Sequence, residues 1–283
     1  MTASDGPARR ECRWLVEGAF LRLSWWEWGP ADGRPVLCVH GLTRQGRDFD
    51  VIAAALAADG RRVLAVDLPG RGHSDWLPRG ELYVYPTYLI ALSHLMAAIG
   101  EEVDWIGTSL GGICGMLAAA AKDAPIRRMV INDVGPLIPA AALARIRDYI
   151  GWQPRFDGLE ELEAHLRKVH APFGVLSDDE WRAMAAHSSR RLPAGKLAFH
   201  YDPAIAGPVK SGPLQDVELW PAWGQVRCPI LVVRGAESDL LLAETFARMR
   251  AEGAATHEVA RAGHAPMLND AGSIAAIRTF LDQ

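Results

Sequence analysis

The chain has 283 residues, 49% of them hydrophobic and 23% charged, with a mean hydropathy of +0.02. Such a composition excludes a disordered or fibrous chain and suits one large α/β domain carrying an insertion. With 30 Lys+Arg against 34 Asp+Glu, the formal net charge is -4, so no broad positive field is expected to collect nucleic acid.

The opening MTASDGPARRECRW lacks the apolar stretch of a signal peptide, and no run approaches the ~18 apolar residues of a membrane span. A soluble, cytoplasmic protein with no membrane partner is the expectation. Cys12, Cys38, Cys114 and Cys228 are scattered without a CxxC pair, which suggests buried free thiols rather than a zinc or redox site.

Cys12 to Glu17 and Ala19 to Trp28 flank Gly18 and predict an antiparallel hairpin, its second arm carrying Trp25, Trp26 and Trp28. Short apolar runs follow at Val36 to His40, Arg62 to Val66, Val103 to Ile106, Met129 to Ile131 and Ile230 to Val233. Strands apolar on both sides are what a parallel sheet covered on both faces requires. Segments of helical period lie between them at Phe49 to Asp59, Pro86 to Ile99, Leu110 to Lys122 and Leu241 to Glu252. This alternation predicts βαβ units in a doubly wound sheet.

The rhythm breaks from about Gly135 to Trp223, where Ala141 to Ile150, Leu159 to Val169 and Asp178 to Arg190 have helical period. Residues 135–223 are therefore expected to form a helical cap inserted into a core made of residues 1–134 and 224–283.

Gly107-Thr108-Ser109-Leu110-Gly111 is a GxSxG directly after the predicted strand VDWI and directly before a predicted helix. In that context a sharp turn lifts a serine hydroxyl above the sheet, and the small flanking residues let strand and helix approach closely. A serine nucleophile needs a histidine to take its proton and a carboxylate to orient that histidine. His264 in AGHAPML follows the predicted strand His257 to Val259, and Asp239 in RGAESD follows ILVV by a few residues. Ser109, Asp239 and His264 are the expected catalytic set, with Glu237 and Asp133, in VINDVGP, as alternative acids. Acyl chemistry also needs donors for a developing oxyanion, and the backbone amides of Leu42 and Leu110 are assigned that role.

VHGLTR, DLPGRGHSD, GTSLGG, RGAESD and GHAPM, at these intervals, resemble the α/β-hydrolase superfamily of serine hydrolases, and its capped esterase and lactonase-like members in particular. The resemblance implies a mostly parallel sheet of about eight strands with an inserted cap, and hydrolysis of a carboxylic ester or lactone through an acyl-enzyme. It implies no metal and no cofactor. It also implies that His40 shapes the oxyanion loop and that DLPGRGHSD braces the carboxyl edge of the sheet. Serine at 109, where dehalogenases and epoxide hydrolases of this fold use aspartate, argues against their reactions. Carbon–carbon hydrolases acting on ring-cleavage products use serine too, though with asparagine before it where Thr108 stands here. They remain the alternative activity, and a non-catalytic ligand receptor on the same fold is the alternative class.

Selectivity is expected in the cap, with Leu143, Ile146, Trp152, Phe173 and Met184 as pocket candidates for a small or medium substrate. His165, His170, His187 and His200 match no metal-ligand spacing, so surface or helix-capping positions are expected for them.

Overall fold

The computed structural model describes residues 6–283; residues 1–5, on which part of the reading of the N-terminus falls, lie outside the described residues. The predicted hairpin is present as β1 (Ala8–Val16) and β2 (Ala19–Trp28), turning at Glu17 and Gly18, both at positive φ. β3 (Pro35–Val39) leads through α1 (Asp50–Ala58) to β4 (Arg62–Asp67). After α2 (Tyr85–Ile99) come β5 (Val103–Thr108), α3 (Leu110–Ala119) and β6 (Ile126–Asn132).

The segment that follows β6 holds four short strands and five helices. They are β7 (Leu137–Ile138), α4 (Ala140–Tyr149), α5 (Leu159–Val169), α6 (Asp178–Ser188), β8 (Ser189–Arg191), β9 (Leu197–Phe199), α7 (Ala206–Ser211), β10 (Val217–Glu218) and α8 (Trp220–Trp223). The sheet then resumes with β11 (Ile230–Gly235), α9 (Ala243–Ala251), β12 (Ala255–Val259) and α10 (Ala271–Asp282).

Eight strands form one sheet in the order β1-β2-β4-β3-β5-β6-β11-β12. The hairpin joins it antiparallel through β2 and β4, and every pairing from β4 to β12 is parallel. β3 is buried along its whole length, and β4 and β5 nearly so, because helices cover both faces and leave no side of the strand to water. The order reverses at β3, where a doubly wound sheet opens a crevice beyond the strand ends, and β5 lies beside that point.

The sequence reading differs from the structure in detail. Periodicity located α4, α5 and α6 but passed over β7, β8, β9 and β10, because a two- or three-residue strand is too short to show a period. β7 pairs with β10, so the two ends of the segment between β6 and β11 are zipped together. The segment carries its own apolar cluster of Phe156, Leu162, Leu166, Trp181, Met184 and Leu197. All four cysteines are free, Cys38 and Cys114 buried and Cys12 and Cys228 partly so. Among the described residues no helix is long and apolar enough to cross a membrane.

Candidate active site

Ser109 occupies the turn between β5 and α3 with φ +52° and ψ -114°, a backbone conformation that costs energy for any residue with a Cβ. The turn is tight enough to dictate its neighbours. A Cβ at Gly107 would lie 2.3 Å from the Gly111 carbonyl oxygen, and one at Gly111 would lie 1.9 Å from that of Val39. Only glycine fits at either place, which is why small residues flank the serine.

Ser109 Oγ lies 3.0 Å from His264 Nε2, and the other ring nitrogen, Nδ1, lies 2.7 Å from Asp133 Oδ2. Asp133, rather than the expected Asp239, is therefore the carboxylate that orients the histidine. It directly follows β6 with its side chain fully buried, and three further hydrogen bonds fix its position. Its Oδ1 accepts the Gly235 N–H at 2.8 Å, its Oδ2 accepts the Ser238 hydroxyl at 2.6 Å, and its own N–H donates to the Val233 carbonyl at 2.8 Å.

Asp239 instead stands at the surface in a two-pronged ion pair with Arg145, at 2.6 and 2.9 Å, its side chain 54% exposed. The correction has a geometric reason. β6 and β11 are adjacent parallel strands ending at the same sheet edge, so a carboxylate after either can approach the loop carrying His264. The segment after β11 places Ser238 inward as a donor to Asp133, and Asp239 turns out. Chain order could not separate the two, since Ser109 precedes both acids and His264 follows both.

Asn132 couples the two halves of the site, donating from Nδ2 to Thr108 Oγ1 at 3.1 Å and to the Pro266 carbonyl at 2.7 Å. Neither the Leu42 nor the Leu110 amide donates a hydrogen bond to another group among the described residues, and Leu42 lines the cavity in front of Ser109. The Leu110 amide is the first of α3, so the helix itself leaves it unpaired.

The loop carrying Leu42 is held by two buried side chains. His40 Nε2 accepts the Leu68 N–H at 2.9 Å, which leaves its proton on Nδ1 to donate to the Gly41 carbonyl at 2.7 Å. Burial pushes its pKa down to about 4, so the ring is neutral. Arg71, with no exposed surface, donates to the Leu42 carbonyl through Nε (2.9 Å) and Nη2 (2.7 Å), and through Nη1 to the Pro69 carbonyl and the Tyr88 hydroxyl. Asp67, also buried, accepts from the Gly46 and His73 amides at 2.8 and 2.9 Å. These contacts match the bracing role expected of the DLPGRGHSD segment.

A cavity of about 470 Å³ opens in front of Ser109 and His264. Three of the five pocket candidates line it, namely Ile146, Trp152 and Phe173. Leu143 packs instead against the main core, and Met184 belongs to the cluster of Phe156, Leu162, Leu166 and Trp181. Leu143 shares α4 with the cavity-lining Ile146, so helical period alone does not tell which apolar residue of a helix faces the cavity and which packs inward.

Sequence reasoning missed the histidines. His165, His170 and His200 all line the cavity; His170 also caps the end of α5, within the expected positions, whereas His200, only 6% exposed, is neither a surface nor a capping residue. No metal site replaces that expectation: among the described residues no three His, Cys, Asp or Glu side chains group to hold an ion.

The segment between β6 and β11 is fastened on both sides of the site. The Gly263 and Met267 amides, flanking His264, donate to the Pro172 and Phe173 carbonyls at 2.7 and 3.2 Å. On the other side Asp202 N–H donates to the Gly70 carbonyl at 2.8 Å, and the Tyr83 hydroxyl donates to Asp202 Oδ2 at 2.7 Å.

Comparison with known proteins agrees with this architecture. The model of the alpha/beta hydrolase family matches residues 36–277. A Cupriavidus necator protein named 3-hydroxybutyrate-oligomer hydrolase is 40% identical over 92% of this chain and 92% of its own length. An esterase of Mycobacterium tuberculosis is 25% identical over 84% of this chain and 78% of its own. Among solved structures, an alpha/beta hydrolase from Novosphingobium aromaticivorans superposes with a TM-score of 0.87 at 36% identity, covering 99% of each chain. The chain belongs to the alpha/beta hydrolase family.

Proposed function

We propose that this protein is a serine ester hydrolase that works through an acyl-enzyme, and that its substrates are small or medium esters or lactones. The observation carrying this reading is the hydrogen-bonded line Ser109–His264–Asp133 opening into the cavity.

His264 Nε2 takes the Ser109 proton as Oγ attacks the ester carbonyl, and Asp133 holds the imidazolium that results. The carbonyl oxygen becomes an oxyanion facing the Leu42 and Leu110 amides, which need no reorganisation to receive it. His264 then returns its proton to the departing alcohol oxygen, and the C–O bond breaks. A water molecule, deprotonated by the same histidine, attacks the acyl-serine, and collapse of the second tetrahedral intermediate frees the acid and restores Ser109. Nothing in these steps requires a metal or cofactor.

The segment 135–223 acts as a cap over this chemistry, fastened at Pro172–Phe173 and at Asp202, and its wall of Ile146, Trp152 and Phe173 contacts the substrate. The names of two relatives, one an esterase and one a hydrolase of 3-hydroxybutyrate oligomers, support ester cleavage and point toward esters of hydroxy acids.

The test is a panel of short-chain esters and lactones together with a vinylogous 1,5-diketone. Turnover of esters by the wild type, lowered at least ~10³-fold in Ser109→Ala, is expected because the triad acts as one unit. Turnover of the diketone alone would move the reading to carbon–carbon hydrolysis, and turnover of nothing in the panel would move it to ligand binding.

A further inference from the structure

Two polar groups on the cavity wall have no protein partner. Ser188, at the end of α6, is 1% exposed and its Oγ bonds to nothing among the described residues. His200 is 6% exposed, and its Nε2 is likewise unpaired. Its tautomer follows from its other contact. Nδ1 accepts the Gly72 N–H at 2.6 Å, so Nδ1 is bare and the proton sits on Nε2 as a buried donor. Burial lowers the ring's pKa to about 3, which keeps it neutral.

The two side chains belong together. The His200 N–H donates to the Ser188 carbonyl at 3.0 Å, extending the β8–β9 ladder by one residue pair and putting both side chains on one face. A buried donor and a buried hydroxyl left unpaired are costly, so the pair is built to be satisfied by what enters the cavity.

Their position relative to the reacting carbonyl is set by the loop after β4. Arg71 holds the Leu42 carbonyl and the next residue, Gly72, holds His200, so the loop after β4 ties His200 to the side of the site that carries Leu42. His264, which protonates the leaving alcohol, comes from beyond β12, on the other side of β5 and Ser109. A group that meets Ser188 and His200 therefore belongs to the acyl part.

The charge of that group follows from the two arginines on the cavity wall, Arg145, which is committed to Asp239 through two bonds, and Arg44. Its guanidinium is committed to Asp48 through two bonds of 2.7 Å, so the pair is neutral as a unit and no free positive charge awaits a carboxylate. A hydroxyl fits: it accepts from His200 Nε2–H and donates to Ser188 Oγ.

We propose that Ser188 and His200 form a subsite for an uncharged hydroxyl on the acyl chain, making short hydroxyacyl esters the preferred substrates. The proposal rests on the ester-hydrolase reading.

The experiment compares kcat/KM for the p-nitrophenyl esters of 3-hydroxybutyrate, butyrate and succinate in the wild type, Ser188→Ala and His200→Asn. The asparagine keeps an acceptor for Gly72 N–H and removes the Nε2 donor. The wild type should favour the hydroxylated ester over butyrate by about tenfold or more, and each variant should bring that ratio close to one. Equal rates on the two esters in the wild type, an unchanged ratio in both variants as expected if an ordered water occupies the pair, or a preference for the succinate ester overturns the proposal. Cleavage of none of the three sinks the ester reading instead. In that event Ser109→Ala, titrated with methyl 3-hydroxybutyrate and methyl butyrate by NMR, decides the subsite separately: about tenfold tighter binding of the hydroxylated ligand supports it, and equal binding overturns it.

Discussion

His264 Nδ1 and Asp133 Oδ2 are 2.7 Å apart although 131 residues separate them, and the bond bridges β6 to the loop beyond β12 across the intervening β11. It fixes which carboxylate matters. Asp133→Asn should lower kcat/KM by about 10³–10⁴-fold, because an amide neither holds the required tautomer nor stabilises the imidazolium. Asp239→Asn should change it by less than about threefold, since an exposed ion pair with Arg145 contributes at most about 1 kcal/mol. Steady-state kinetics of the two variants on one ester checks this, and a large loss in Asp239→Asn with little in Asp133→Asn would reverse the assignment.

Arg71 reaches no substrate in the proposed mechanism yet positions the peptide that follows Leu42. Arg71→Lys keeps a positive charge but loses the forked contact with the Leu42 carbonyl. The expected effect is a fall in kcat of about 10- to 100-fold with KM changed little, because the oxyanion exists only in the transition state. A rise in KM at constant kcat would show instead that the loop binds the ground state.

Gly111→Ala should fail to accumulate as folded protein, or lose more than about 3 kcal/mol of stability, since the added methyl meets backbone at 1.9 Å on the buried face of α3. Urea unfolding of the purified variant measures this. A near-native midpoint would mean that α3 can move away from β3 without cost.

His200 gives stability a pH dependence whose sign is fixed. The unfolded ring takes a proton below about pH 6.5, whereas the folded ring stays neutral down to about 3, so between these limits the unfolded state binds more protons. Stability therefore falls as pH falls through that window, at up to about 1.4 kcal/mol per pH unit for one histidine. Urea unfolding at pH 6.0, 5.5 and 5.0 should show a shallower fall for His200→Asn than for the wild type. Parallel lines would place the ring in water.

Phe173→Ala and Met184→Ala separate the cavity wall from the apolar cluster behind it. The first should redistribute kcat/KM among esters by about 1–3 kcal/mol. The second should cost about 2–5 kcal/mol of stability with little change in preference, because Met184 belongs to the apolar cluster of Phe156, Leu162, Leu166 and Trp181 and does not line the cavity. Ester profiles and thermal unfolding of both variants distinguish the roles.

Most of the fold was legible because it rests on long-period signals: fully apolar strands, helical stripes, and glycines that no other residue can replace. Ser109 and His264 were legible for the same reason, each following its own strand on a loop. Asp133 against Asp239 was not, since adjacent parallel strands deliver two carboxylates to one edge and only the turn that buries Ser238 decides between them. The inward histidines were hidden for a related reason. His200 lies where a three-residue strand meets the loop after β4, and no periodic pattern records a contact made 128 residues away.

The central claim is that Ser109 carries the acyl group, and intact-mass analysis after treatment with an ester-like fluorophosphonate tests it most directly. One adduct per chain is expected, located by peptide mapping on the segment containing Ser109, absent in Ser109→Ala and formed much more slowly in Asp133→Asn. An adduct on any other residue, or undiminished labelling of Ser109→Ala, would contradict the account.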